Sequence, residues 1–90
     1  MKTVKAILSG IVQGVFFRRF VKENAEKLGI KGFVRNLEEG KLEIVAEGKD
    51  EDVNKLLKMC TEGPSNADVK DFKIEEMSHQ GFDSFKRLSL

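Results

Sequence analysis

At 90 residues and 10.2 kDa the chain has room for one hydrophobic core, and its 28 Leu, Ile, Val and Phe residues are too many for a disordered segment. A lone Cys60 excludes an internal disulfide, a lone His79 leaves too few ligands for an all-protein zinc site, and neither a Ser/His/Asp set nor a Cys/His pair is in sight for covalent hydrolysis. The net charge is only +1, yet residues 1–41 carry nine Lys/Arg against four Asp/Glu and residues 42–90 carry seven against eleven, so the basic half invites an anionic partner.

Lys2 and Lys5 precede Ala6-Ile7-Leu8, but Ser9, Gly10 and Gln13 break that apolar stretch before it resembles a signal sequence. No run is long enough to span a bilayer, so a cytoplasmic protein with no membrane partner is expected. Residues 3–9 alternate, with Val4, Ala6 and Leu8 on one face, and predict a strand. Gly10 to Gly14 reads as a turn. From Phe16 the period becomes helical: Phe17, Phe20, Val21, Ala25 and Leu28 form one stripe, and Gly29 sits at the C′ position.

Lys31–Leu37 is a second strand, joined through Glu38-Glu39-Gly40 as a hairpin to a third strand from Leu42 to Gly48. Asp50 is placed to cap a second helix, with Glu51 and Asp52 beside its positive end and Val53, Leu56, Leu57 and Cys60 as its apolar stripe. Cys60 is therefore expected to be an inert, buried thiol. Gly63-Pro64 stops that helix. Residues 67–77 predict a fourth strand whose phase slips, Val69 falling on one face and Phe72 and Ile74 on the other, which calls for a bulge or a different register. Phe82 and Phe85 suggest a last short strand. The order βαββαβ is the ferredoxin-like split-βαβ arrangement, an α+β sandwich with an antiparallel sheet of four or five strands under two helices on one face.

The chemistry concentrates between the first strand and the first helix, in Gly10-Ile11-Val12-Gln13-Gly14-Val15-Phe16-Phe17-Arg18. A glycine-containing loop that opens a helix presents several N–H groups in one direction and makes an anion site. Read alone, two glycines are more often those of a plain turn. Arg18 adds to the signal, because a cation at a helix N-terminus opposes the dipole unless an anion binds there, and a guanidinium forks onto two phosphate oxygens. Arg19, about 100° around the helix, is better placed as an i, i+4 partner of Glu23.

These residues carry a resemblance. Gly10–Arg18 is similar to the acylphosphatase signature G-x-V-Q-G-V-x-F-R, and Gly32-Phe33-Val34-Arg35-Asn36 to the family's second motif, G-[FYW]-[AV]-[KRQ]-N. The likeness also takes in Ala25, Leu28-Gly29, Gly40, Gly48, Gly63-Pro64 and Ala67–Val69 and weakens after Met77. It implies one acylphosphatase-like domain over 1–90, a cytoplasmic monomer that hydrolyses small-molecule acyl phosphates to carboxylate and inorganic phosphate. Neither metal nor other cofactor is implied, and phosphate or sulfate would compete. It also implies that backbone N–H groups of Gln13, Gly14, Val15, Phe16, Phe17 and Arg18 cradle the phosphoryl oxygens. Arg18 would neutralise their charge and Asn36 would hold the attacking water. From the residues alone, Phe16 and Phe17 read as core, although Phe16 lies off the stripe and is free to line a pocket.

Three other readings share the fold. An RNA-binding module has the same element order, and Lys31-Gly32-Phe33 faintly matches one of its signatures, but on the wrong strand and without an aromatic on the third. A catalytically idle anion-binding or regulatory domain is another. A domain handling carbamoyl phosphate, as in larger maturation proteins, is the third.

Overall fold

The computed structural model describes residues 1–89, so Leu90 of the expected 1–90 unit lies outside the described residues. The alternating Val4, Ala6 and Leu8 become β1 (Lys2–Ile11) and are almost wholly buried, while Thr3, Lys5 and Ile7 face the other way. Phe17, Val21 and Ala25 bury the inner face of α1 (Phe17–Lys27). Helix α1 ends through Leu28, and the Gly29 N–H bonds the Glu26 carbonyl at 3.1 Å.

The hairpin expected from Glu38-Glu39-Gly40 is present: β2 (Lys31–Asn36) and β3 (Leu42–Gly48) flank a single 3₁₀ turn at Glu38–Gly40. The second helix, α2 (Asp50–Glu62), buries Val53, Leu56, Leu57 and Cys60 as its stripe requires. Its cap differs from expectation. Lys49 occupies the N-cap and Asp50 is the first helical residue, with no side-chain cap bond, so the three acids of the first turn act on the dipole alone. Strand β4 (Asp68–Met77) carries a bulge, one of the two readings of the slipped phase: Ser9 faces Asp71 and Gly10 faces Val69, leaving Lys70 as the extra residue. The bulge lets both Val69 and Phe72 pack on the core. It also presses β4 onto Gly10, where φ is 118° and a Cβ would strike the Asp68 carbonyl. Strand β1 consequently continues through Gly10 and Ile11, two residues that read as turn in the sequence.

The five strands form one sheet in the order β4-β1-β3-β2-β5, where β5 is Phe85–Leu88. Four strands are antiparallel, as expected. The fifth is not: β5 pairs with β2 in parallel, from Gly32↔Phe85 to Arg35↔Leu88. The chain leaves β4 at one edge and must reach the opposite edge, and residues 78–84 make that crossing over the face away from the helices. Phe82 belongs to the crossing rather than to β5 and meets Phe33 edge-on at 6.0 Å. Both helices cover the other face, where Leu8, Ile44, Val34, Phe17, Val21, Leu56 and Phe85 belong to one core. No helix among the described residues is long and apolar enough to cross a membrane.

Candidate active site

The loop after β1 delivers the chain into α1 through two left-handed residues, Gly14 at φ 70° and Phe16 at φ 60°. Glycine takes that conformation freely. A phenylalanine does not, and the strain marks a loop whose path is held by something other than its own preference. The Gln13 side chain is part of the hold: its Nε2 donates to the Leu37 carbonyl at 2.8 Å and the Lys41 carbonyl at 2.7 Å, stapling the loop to the β2–β3 hairpin. Nothing in the sequence separates this structural role of the Gln13 side chain from the anion-binding role of its backbone.

The first bond of α1 runs from the Phe20 N–H to the Phe16 carbonyl at 3.0 Å. The N–H groups of Phe17, Arg18 and Arg19 therefore have no helical partner. Those of Gly14, Val15 and Phe16 meet no backbone carbonyl among the described residues. No acid stands in the first turn of α1, whereas α2 has three. The positive end of α1 is thus left uncompensated and carries two arginines besides.

This end opens on a cleft of about 200 Å³. Gln13, Gly14, Phe16, Arg18 and Asn36 all line it, together with Arg19 and Arg87. Strand β2 supplies Asn36 as its last residue, and the pairing of Asn36 with Leu42 places it beside the loop. The Asn36 Oδ1 is buried and accepts no hydrogen bond among the described residues. Among the described residues Arg18 donates one bond, Nη1 to the Leu88 carbonyl at 2.9 Å, a small share of its five donors.

The sequence-derived set is largely brought together. Val15 packs against the core, so only its backbone is available to the loop. Phe17 is core as read, at 1 % exposure, though its edge reaches the cleft. Phe16 is not core: it is 75 % exposed at the cleft. Arg19 pairs with Glu23 at 3.0 Å as its spacing predicted. Cys60 is buried, and burial pushes its thiol up to about 12, consistent with an inert group.

Two contributors escape the sequence reading, both on β5. The Leu88 carbonyl is a backbone group and has no sequence signal. Arg87 does have one: two residues beyond the buried Phe85, strand alternation puts it on the helix face, near α1. That signal becomes readable only once β5 has a register.

The Acylphosphatase family model matches residues 4–87. The chain belongs to the acylphosphatase family. It is an enzyme that hydrolyses acyl phosphates. An acylphosphatase of Methanocella arvoryzae is 44 % identical over 86 residues, covering 92 % of this chain and 98 % of the relative. The solved acylphosphatase of Coxiella burnetii superposes with a TM-score of 0.92 at 36 % identity, over 97 % of this chain and 92 % of that one. Full-length HypF, in a phosphate- and nucleotide-bound form, contains the same fold as 12 % of its length, with a TM-score of 0.91 at 32 % identity over 98 % of this chain. The RNA-binding alternative loses its platform in this acylphosphatase. Phe33, the aromatic it needed, meets Phe82 edge-on at 6.0 Å, and β3 offers no aromatic of its own.

Proposed function

We propose that the cleft at the start of α1 is the phosphoryl site of this acylphosphatase, with Arg18 and the loop amides as phosphate ligands and Asn36 as the holder of the attacking water. The observation that carries this reading is the orphaned Asn36 Oδ1, an unpaired acceptor lining the same cleft as an uncompensated helix N-terminus and Arg18. A buried carbonyl oxygen wants a donor. A water bonded there is held beside an anion site.

The substrate's phosphoryl oxygens take the N–H groups of Gln13–Arg18 and the other Arg18 donors. The water oxygen forms a bond to phosphorus as the bond to the acyl oxygen breaks, and the carboxylate leaves with the electron pair. Phosphoryl transfer of this kind proceeds through a loose transition state, so positioning and charge stabilisation supply most of the acceleration. A carboxylate is a good leaving group and needs no strong acid. An amide is no base, so Asn36 orients the water and the departing proton passes to a phosphoryl oxygen. Amides and one arginine meet these demands without a metal.

A cleft of about 200 Å³ is smaller than the pockets that enclose whole drug-sized ligands. It grips the phosphoryl group and leaves the acyl group at the mouth, beside Phe16 and Arg87. The chain acts as one domain and as a monomer in the cytoplasm, with phosphate and sulfate as competing anions. Carbamoyl phosphate contains the same anhydride and suits the same cleft.

The test is phosphate release from benzoyl phosphate by purified protein in EDTA, with Arg18→Ala in parallel. Fast hydrolysis that the variant loses supports the site. Undiminished hydrolysis by the variant sinks it, and a folded wild-type protein without activity would make the domain an idle anion binder.

A further inference from the structure

Glu47 is a carboxylate that the reaction does not use, yet it is 3 % exposed near the end of β3. Its Oε2 accepts from Thr3 Oγ1 at 2.6 Å and from the Gln80 N–H at 2.7 Å; its Oε1 accepts from the N–H groups of Gly81 at 3.0 Å and Phe82 at 3.2 Å. His79 Nδ1 lies 3.3 Å from Oε2. Three successive backbone amides of the crossing segment thus converge on one side chain. Burial pushes the carboxyl pKa up, but the bonds from Thr3 and from the Gln80, Phe82 and Gly81 amides outweigh it and bring it to about 2.

Strand β5 begins three residues after this clasp. It has only four residues, lies at the sheet edge and bonds a single neighbour in parallel. Just before it, the Gly32 N–H bonds the Ser84 carbonyl at 3.0 Å. From Phe85 beside Gly32, β5 runs roughly 10 Å to Leu88 beside Arg35, the residue before Asn36. There the Leu88 carbonyl receives Arg18 Nη1 at 2.9 Å, and Arg87 reaches the cleft.

We propose that Glu47 is a positioning residue for the hydrolysis: by clasping residues 80–82 it sets the place of β5, and through the Leu88 carbonyl the place of the Arg18 guanidinium. The inference rests on Arg18 being the phosphate ligand. Glu47 itself touches no substrate and stands at the other end of the sheet. Replacing it with Gln keeps the shape but puts an amide, with its own N–H donors, among three amides that need acceptors. The crossing then relaxes, and the short edge strand follows.

The experiment compares Glu47→Gln with Glu43→Gln, which also replaces a buried acid on the same face of β3 but one paired only with Arg35. Both are assayed with benzoyl phosphate at a temperature where circular dichroism shows them folded. The expected result is about a tenfold loss of kcat/KM and about fivefold weaker inhibition by inorganic phosphate in Glu47→Gln, with Glu43→Gln within about twofold of wild type. In an Arg18→Ala background the same Glu47→Gln change should cost less than about twofold, because the group it positions is gone. A merely structural role would show the full loss in both backgrounds, and that outcome overturns the inference. Wild-type kinetics in a folded Glu47→Gln overturns it too, while leaving the site reading intact if Arg18→Ala is inactive. Full activity in Arg18→Ala overturns both. Should Glu47→Gln not fold, Glu47→Asp, which keeps the charge and withdraws it by one methylene, enters the same comparisons.

Discussion

A buried acceptor without a donor costs a fold about 1–3 kcal/mol, and Asn36 Oδ1 is kept in that state beside Arg18. Such an expense is tolerated where a bound water or ligand removes it. Arg18→Ala is expected to lower kcat/KM by about a thousand-fold or more, about 4 kcal/mol of transition-state stabilisation, by analogy with other arginines that meet a transferring phosphoryl group. Asn36→Ala should cost about 3 kcal/mol, mostly in kcat with KM little moved, since a water held for attack matters chiefly in the transition state. Steady-state kinetics on benzoyl phosphate separates the two: Arg18 loss weakens phosphate inhibition as well, and Asn36 loss does not. In the sequence Arg18 stood out as a cation at a helix start, and Asn36 only through the family resemblance, since alone it reads as a strand-end residue. Arg87 did not, because its place depends on a parallel pairing more than fifty residues away in the chain.

At the scale of elements, periodicity found both helices because their buried stripes are continuous: Phe17, Val21 and Ala25 in one, Val53, Leu56, Leu57 and Cys60 in the other. Leu56 is wholly buried between α2 and the sheet. Leu56→Ala should therefore destabilise by about 3 kcal/mol and lower Tm by about 15 °C in a chain of this size, measured by thermal denaturation. A shift under about 4 °C would mean that α2 packs less tightly than its burial implies. The bulge in β4 was legible only as a slipped phase, Val69 against Phe72 and Ile74, which left a different register open as well. The Asp50 cap was not legible, because an acid at the N-cap and an acid one residue inside the helix leave the same sequence pattern. The parallel direction of β5 was also hidden: Phe82 and Phe85 look alike as apolar residues, yet one covers the outer face and the other enters the core.

For the molecule as a whole, the acid limb of stability follows from Glu47. Its carboxyl sits near 2 in the folded chain against 4.5 when exposed, so the folded state binds fewer protons than the unfolded state between those values. The stabilisation is complete above about pH 5 and fades as pH falls through the folded value. It amounts to roughly 3 kcal/mol. Thr3, Lys31 across the strand and His79 surround the carboxylate, and of these only His79 lies within ion-pair distance. Urea midpoints measured from pH 6 to pH 2 should fall more steeply for the wild type than for Glu47→Gln. Parallel curves would show that the acid sensitivity lies elsewhere. No local sequence pattern announces this clasp, since its donors are main-chain groups of a segment far from Glu47 in the chain.

The uncompensated positive end of α1 has a last consequence, for survival rather than turnover. An anion seated there fills the orphaned donors and offsets the repulsion between Arg18, Arg19 and the helix dipole, so it binds the folded chain and ignores the unfolded one. Inorganic phosphate, the product, should act as such a ligand. At a hundred times its dissociation constant it would add about 3 kcal/mol and raise Tm by about 15 °C, against no shift in Arg18→Ala, by differential scanning fluorimetry in phosphate and in a non-anionic buffer. A molecule surrounded by its own product is then slowest and hardest to unfold at once, and one freed of it is fastest and most fragile.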